Sequence, residues 1–165
     1  MFKLFSKKAS AVDNQLYAPA DGQLIDLAMV SDKVFSSKVM GEGFGTDPVN
    51  GKIVAPVSGT VVMVADTKHA IGLQMANDLE ILVHMGVDTV DLHGLPFKVL
   101  VRPGDKVQGG QTIAHMNIGQ IKAAGLDPVV MTVITNSADK LDALTVDQGI
   151  AVKGAVIGQV TAKEA

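Results

Sequence analysis

The 165-residue chain has no cysteine and no tryptophan, a single tyrosine and five phenylalanines. Without cysteine there is no disulfide, no thiolate zinc site and no cysteine nucleophile, so any covalent chemistry falls to Ser, Thr, Lys, Asp, Glu or His. An excess of positive charge is missing too. Fourteen Lys and Arg stand against seventeen Asp and Glu, a formal charge of −3, whereas phosphate neutralisation needs a basic surface. That argues against nucleic acid as the main partner and for proteins or small molecules. No run reaches the roughly 18 apolar residues of a membrane span, and the start, MFKLFSKKASAV, lacks the apolar centre of a secretory signal. The cytoplasm is the expected location. If helical, residues 1–9 would set Met1, Phe2, Phe5 and Ala9 opposite Lys3 and Lys7, a segment suited to weak contact with an anionic membrane surface; a frayed terminus is an equal reading.

Helical periodicity is nearly absent as well. What is present is a succession of short β-branched runs (QLYAPADGQLIDL, KIVAPVSGTVVMVAD, AIGLQMA, LEILVHMGVDTVDL, FKVLV, TIAHMN, PVVMTVIT, ALTVDQ, IAVKGAVIGQV) punctuated by Gly, Pro, Asn and Asp. One or two helical turns are expected in VSDKVFSSKVM and IGQIKAAG. The regular turn spacing predicts an all-β protein, an antiparallel sandwich or barrel-sandwich hybrid. A single domain of this length buries roughly 70% of its unfolded surface. Its expected extent is 16–165, with 1–15 as a tail. The corner Ala18-Pro19-Ala20-Asp21-Gly22 recurs as Ala55-Pro56-Val57-Ser58-Gly59, 37 residues on, which suggests an internal duplication.

Two of the four histidines are related through a hairpin. Between His69 and His84 lies IGLQMANDLEILV, whose strong turn signal is Ala76-Asn77-Asp78. A loop of two residues (76–77) or four (75–78) sets His69 directly across from His84, with Cβ atoms about 4.5–5.5 Å apart. A three-residue loop slips the register and sends the rings to opposite faces. His93 and His115 have no companions and read as ordinary packed side chains. Two adjoining imidazoles repel when both are protonated, so the pair favours a neutral ring, a nucleophile or metal ligand. Thr67, two residues before His69, falls on the same face, where its hydroxyl can orient a ring. Gly86, two after His84, suggests open space and free backbone amides for an approaching anion.

The strings VHMGVDTV, TKHA, VFSSKVMGEGFG and APVSGTV resemble the glucose-class enzyme IIA proteins of the bacterial phosphoenolpyruvate:sugar phosphotransferase system, in order from about Leu16 onward. The resemblance implies a cytoplasmic phosphocarrier with a β-sandwich fold that takes a phosphoryl group from the small phosphocarrier HPr onto Nε2 of a histidine. It then passes the group to the cysteine of a IIB domain. On matching positions, His84 would carry the phosphoryl group, with no cofactor required. His69 would stabilise that group and Thr67 would orient His69, while Asp32 and Asp88 would meet an arginine of HPr. Val34, Phe35, Val39, Met40, Ile71, Leu82 and Met85 would ring the site, or equally fill a core. Relatives often carry phenylalanine where this chain has Ala65, Ile71, Leu82 and Met85, so an aliphatic rim is expected. The chain before the first strand is shorter than in relatives with a membrane-binding helix. Sugar identity, and any regulated transporters or enzymes, are not legible.

Three other readings are open to the same residues. The spacing His84-x-x-x-Asp88 matches part of a lysostaphin-type zinc site, but the accompanying H-x-H is missing. The A-P-x-x-G corners and PGDKVQGGQTI resemble biotinyl and lipoyl carrier hairpins, but no lysine sits in the required setting. Finally, His69 and His84 would hold zinc at a partner interface if a partner carboxylate and water completed the tetrahedron.

Overall fold

The computed structural model describes residues 12–164. Fourteen strands among the described residues follow the Gly and Pro punctuation: β1 Gln15–Tyr17, β2 Gly22–Asp26, β3 Glu42–Pro48, β4 Lys52–Val54, β5 Gly59–Val64, β6 Ala70–Gln74, β7 Glu80–Met85, β8 Phe97–Val99, β9 Lys106–Val107, β10 Thr112–Met116, β11 Val130–Ile134, β12 Leu141–Val146, β13 Gly149–Ala151 and β14 Val156–Ala162. Every pairing is antiparallel. Helices are short, as expected: α1 Lys33–Ser36, α2 Ile118–Ala123 and α3 Ser137–Lys140. The amphipathic reading of residues 1–9 lies outside the described residues.

An eight-stranded sheet in the order β13-β2-β3-β11-β7-β6-β5-β9 packs with two three-stranded sheets, β1-β14-β12 and β4-β10-β8. Period-two alternation sends Ile81, Val83 and Met85 of β7 inward with Ile71 and Leu73 of β6 into one large apolar core. The other face of β7 and β11 carries Leu82, His84, Met131 and Val133. A second, smaller cluster forms there, where Leu27, Val30 and Phe35 fold over Val129, Met131 and Val133. The arm of residues 27–37 is therefore packed on the sheet beside the histidines.

The duplication is visible as an exchange of hydrogen bonds between the two corners. Tyr17 N–H donates to Pro56 O and Val54 N–H to Pro19 O, both at 2.8 Å, a pair related by the same 37-residue offset. The large sheet repeats the theme, with β2-β3 and β5-β6 on either side of the central β11-β7 pair.

One strand was not anticipated, and one expectation needs correction. The strand signal of β3 was hidden, because EGFGTDP is dominated by Gly, Asp and Pro. Its glycines answer to tertiary neighbours: a Cβ at Gly43 would strike the backbone of Thr132, and one at Gly45 would come 2.7 Å from Val30 Cγ1. The tail also ends earlier than residue 15. Gln15 belongs to β1, Asn14 O accepts from Val160 N–H at 2.8 Å, and the Asp13 carboxylate accepts from Tyr17 Oη–H at 2.7 Å and Ser58 Oγ–H at 2.8 Å.

Candidate phosphoryl-transfer site

His84 stands on the outward face of β7, half-buried. The hairpin that was to set His69 against it has a different register. Met75 N–H donates to Leu79 O at 2.9 Å, Asp78 takes φ 69°, and the loop is the three residues 76–78. The ladder then pairs His84 with Ala70 rather than His69. In a regular strand His69 would face the core, yet the two rings meet edge to face with centroids 5.0 Å apart. The reason is that His69 is not in a strand. It ends the turn joining β5 to β6, in which Lys68 adopts φ 61° and Lys68 N–H bonds to Ala65 O at 2.8 Å. The bend carries the ring around to the face of His84, while His69 O still accepts from Met85 N–H at 2.7 Å.

Each ring is held through its Nδ1. Gly86 O lies 2.9 Å from His84 Nδ1; a carbonyl only accepts, so Nδ1 carries the proton and the Nε2 lone pair is left free in the neutral ring. Thr67 Oγ1 lies 2.6 Å from His69 Nδ1, although Thr67 sits in the turn rather than on a strand face. Burial pulls the His84 pKa below its ordinary 6.5, the neighbouring His69 adds to this, and the Gly86 carbonyl, Asp32 and Asp88 oppose it. Burial lowers His69 as well. Both shifts favour neutral imidazoles at pH 7.

Gly86 differs from its expected role. Its φ is +85°, and a Cβ would press on the Thr89 side chain, so the space is filled rather than open. Its N–H donates to Val129 O at 2.8 Å and Val87 N–H to Asp127 O at 2.9 Å. The amides expected to greet an anion are used by the sheet, and the glycine contributes its carbonyl. Buried Thr89 fixes this turn by donating to Met85 O at 2.5 Å.

Of the apolar residues expected around the site, Met85 and Ile71 have no exposed surface and belong to the core. They point away from His84 because they lie on the opposite face of the pleat, so neither belongs to a docking rim. Phe35 is buried against the ring of His84, with centroids 4.9 Å apart. Val34, Val39 and Met40 are exposed. Val62 and Met63, unmarked in the sequence, are also exposed and line a groove with Gly72 and Leu82. Asp32 is the N-cap of α1, its Oδ1 accepting from Val34 N–H at 2.9 Å and Phe35 N–H at 3.2 Å. Asp88 is exposed, in the left-handed region at φ 59°. His93 and His115 are exposed rather than packed. Among the described residues no three His, Cys, Asp or Glu side chains are grouped to hold a metal. Two imidazoles leave a tetrahedral zinc site half made, so these residues do not by themselves fit one.

The family model for the phosphoenolpyruvate-dependent sugar phosphotransferase system, EIIA 1, matches residues 14–140. The glucose-specific EIIA component of this system in Staphylococcus aureus (strain COL) is 40% identical over 153 residues, 92% of this chain and 92% of that protein. The glucose-specific EIICBA component of Streptococcus pneumoniae serotype 4 is 47% identical over 122 residues, 74% of this chain but 17% of that longer protein's length. Among solved structures, glucose permease IIA from Mycoplasma capricolum superposes with a TM-score of 0.78 at 32% identity, covering 87% of this chain and 93% of that one. None of these matches supports the metallopeptidase or the biotinyl-carrier reading. Fold, sequence and family model agree, and the chain belongs to the EIIA 1 family of the sugar phosphotransferase system, as a phosphocarrier component of that system.

Proposed function

We propose that His84 is the residue that carries the phosphoryl group, on Nε2. The observation behind this is the 2.9 Å bond from Nδ1–H to Gly86 O, which leaves Nε2 as the sole unprotonated nitrogen of a neutral ring flanked by a second imidazole. The donor is phospho-HPr and the acceptor the cysteine of a IIB domain, in the cytoplasm. In uptake, the Nε2 lone pair attacks phosphorus as the N–P bond to the donor histidine breaks, and that bond's electron pair returns to the donor ring. In release, a thiolate attacks phosphorus, the P–Nε2 bond breaks, and its electron pair returns to His84. Phosphoryl transfer of this kind requires in-line positioning and stabilised oxygens more than covalent help.

With Thr67 as donor to Nδ1, His69 is the Nε2–H tautomer, and that N–H is available to the phosphoryl oxygens. A single preorganised donor of this sort contributes on the order of 3–4 kcal/mol to a transition state. The Gly86 carbonyl then faces an imidazolium-like Nδ1–H in phospho-His84 and stabilises the positive charge. Asp32 and Asp88 give the rim a negative field for a cationic partner, and Val34, Val39 and Met40 give it an apolar contact surface. The relatives' names carry glucose, which makes a glucose-type permease the natural downstream partner.

Incubation with phosphoenolpyruvate, enzyme I and HPr tests the proposal. One phosphoryl group should be gained, labile to acid and stable to base, and His84→Ala should take none. A label that survives acid, or that persists in the variant, removes His84 from this role.

A further inference from the structure

The two acidic residues beside His84 come from parts of the chain distant in sequence, and one residue joins those parts, through its side chain to one and its backbone carbonyl to the other. Asp127 Oδ2 accepts from Ser31 Oγ–H at 2.8 Å, Asp127 Oδ1 from Val129 N–H at 2.9 Å, and Asp127 O from Val87 N–H at 2.9 Å. Ser31 immediately precedes Asp32, and Val87 immediately precedes Asp88. Asp127 thus grips the residue before each carboxylate of the pair. Its own backbone is fixed at the entry to β11, the central strand that hydrogen-bonds to β7 and so to His84.

We infer that Asp127, acting through Ser31, is a positioning residue that sets the separation of Asp32 from Asp88 and the seat of Phe35 against His84, and thereby the affinity for the cationic phosphoryl donor. The proposal rests on the role given to His84 above. The arm of residues 27–37 is otherwise held by apolar contacts of Leu27, Val30 and Phe35, which resist lifting but are non-directional. The Ser31–Asp127 bond is directional and crosses 96 positions of sequence. A hydrogen bond to a charged group is stronger than one between neutral partners, so it fixes the arm's place along the sheet where packing alone leaves latitude. Because Asp32 Oδ1 caps α1, holding residue 31 also holds the start of the helix that presents Phe35.

Ser31→Ala removes this link and leaves Asp127 bonded to Val129 and Val87. The variant should raise the KM for phospho-HPr about fivefold with kcat unchanged, since docking is weakened equally in ground and transition states. Ser31→Thr, which keeps the hydroxyl, should restore the parental KM. The KM increases caused by Ser31→Ala and Asp32→Asn should combine to less than their product, because an Asp32 that is out of place has little left to lose. A parental KM in Ser31→Ala, a strictly multiplicative double variant, or no rescue by Thr would each overturn the proposal. A second readout needs no phosphoryl transfer: in the unphosphorylated protein, the carbon-bound proton resonances of His84, shifted by the Phe35 ring, should move in Ser31→Ala and return in Ser31→Thr. If the parent protein is never phosphorylated, the role of His84 fails, while an unmoved His84 resonance in Ser31→Ala overturns the clamp independently.

Discussion

His69 and His84 lie edge to face with ring centroids 5.0 Å apart, although the residue that the β6-β7 ladder places opposite His84 is Ala70. The pair is thus made by a turn rather than by sheet register. The 65–69 bend turns the His69 ring toward His84, and Thr67 within that bend holds its Nδ1. In the proposed function, an imidazole delivered by a turn and locked by a neighbouring hydroxyl would serve as an oriented hydrogen-bond donor beside a second ring held by a backbone carbonyl.

That division of labour predicts different fates for the two half-reactions. His69→Gln retains an N–H donor of similar reach and loses imidazole acid–base chemistry. Uptake from phospho-HPr should survive, while release to the IIB cysteine should slow by about a hundredfold or more, because the flexible amide lacks the orientation that Thr67 imposes on the imidazole and the donor is no longer preorganised. Rapid-quench measurement of both half-reactions decides it. Equal impairment of the two, or of neither, would show that His69 has another role.

Asp32 has two separable duties, charge and helix capping. Asp32→Asn keeps a capping oxygen and removes the charge, so uptake should slow at low salt and approach the parental rate at high salt, where rim electrostatics are screened. Asp32→Ala also loses the cap over Val34 and Phe35 N–H, at a cost of about 1 kcal/mol, and should remain slow at every salt concentration. Asp88→Asn, at a residue without a capping bond and with a side chain equally suited to φ 59°, should behave as a charge change alone. Parental uptake rates at low salt in Asp32→Asn and in the Asp88 variant would remove the acidic pair from donor recognition.

The direction of the His84 shift fixes the pH dependence. Its folded pKa lies below the ordinary 6.5 through burial and then through His69, so the nucleophilic neutral form should persist down to and below that value. Uptake should be level from pH 8 to about 6.5 and fall only at lower pH. Asp32→Asn, which removes a group holding the pKa up, should move the fall lower still. The same shift bears on stability. The unfolded chain gains a proton on His84 near pH 6.5 while the folded chain resists it, so stability is lost as pH falls from about 6.5 through the folded pKa. Denaturant titrations of the parent and of His84→Gln across that window should differ in slope. An uptake inflection above pH 6.5 would contradict the buried, neutral ring.

Sequence by itself determined a good deal of this. The absence of cysteine restricts covalent chemistry to side chains such as histidine, and alternating β-branched runs between Gly and Pro turns specify an antiparallel β protein, because strand periodicity and turn chemistry are local properties. The duplicated A-P-x-x-G corners were readable for the same reason, and they do bond to one another. What sequence could not supply was whatever depends on two distant segments meeting. Gly43 and Gly45 look like strand breakers until the backbone of Thr132 and the side chain of Val30 are seen against them. Met85 looks like a neighbour of the His84 ring until the pleat turns it into the core. The register of the 76–78 loop was open, and tertiary structure chose the value that separates the histidines along the ladder, then reunited them through the φ 61° turn at Lys68. Asp127 shows locally only the bond from Val129 N–H two residues on; its hold on the arm gains meaning only when Ser31 arrives from 96 positions away. Local physics wrote the elements and marked the two histidines as candidates; the distance between their rings and the burial of each follow from long-range packing, which alone decides what is buried beside what.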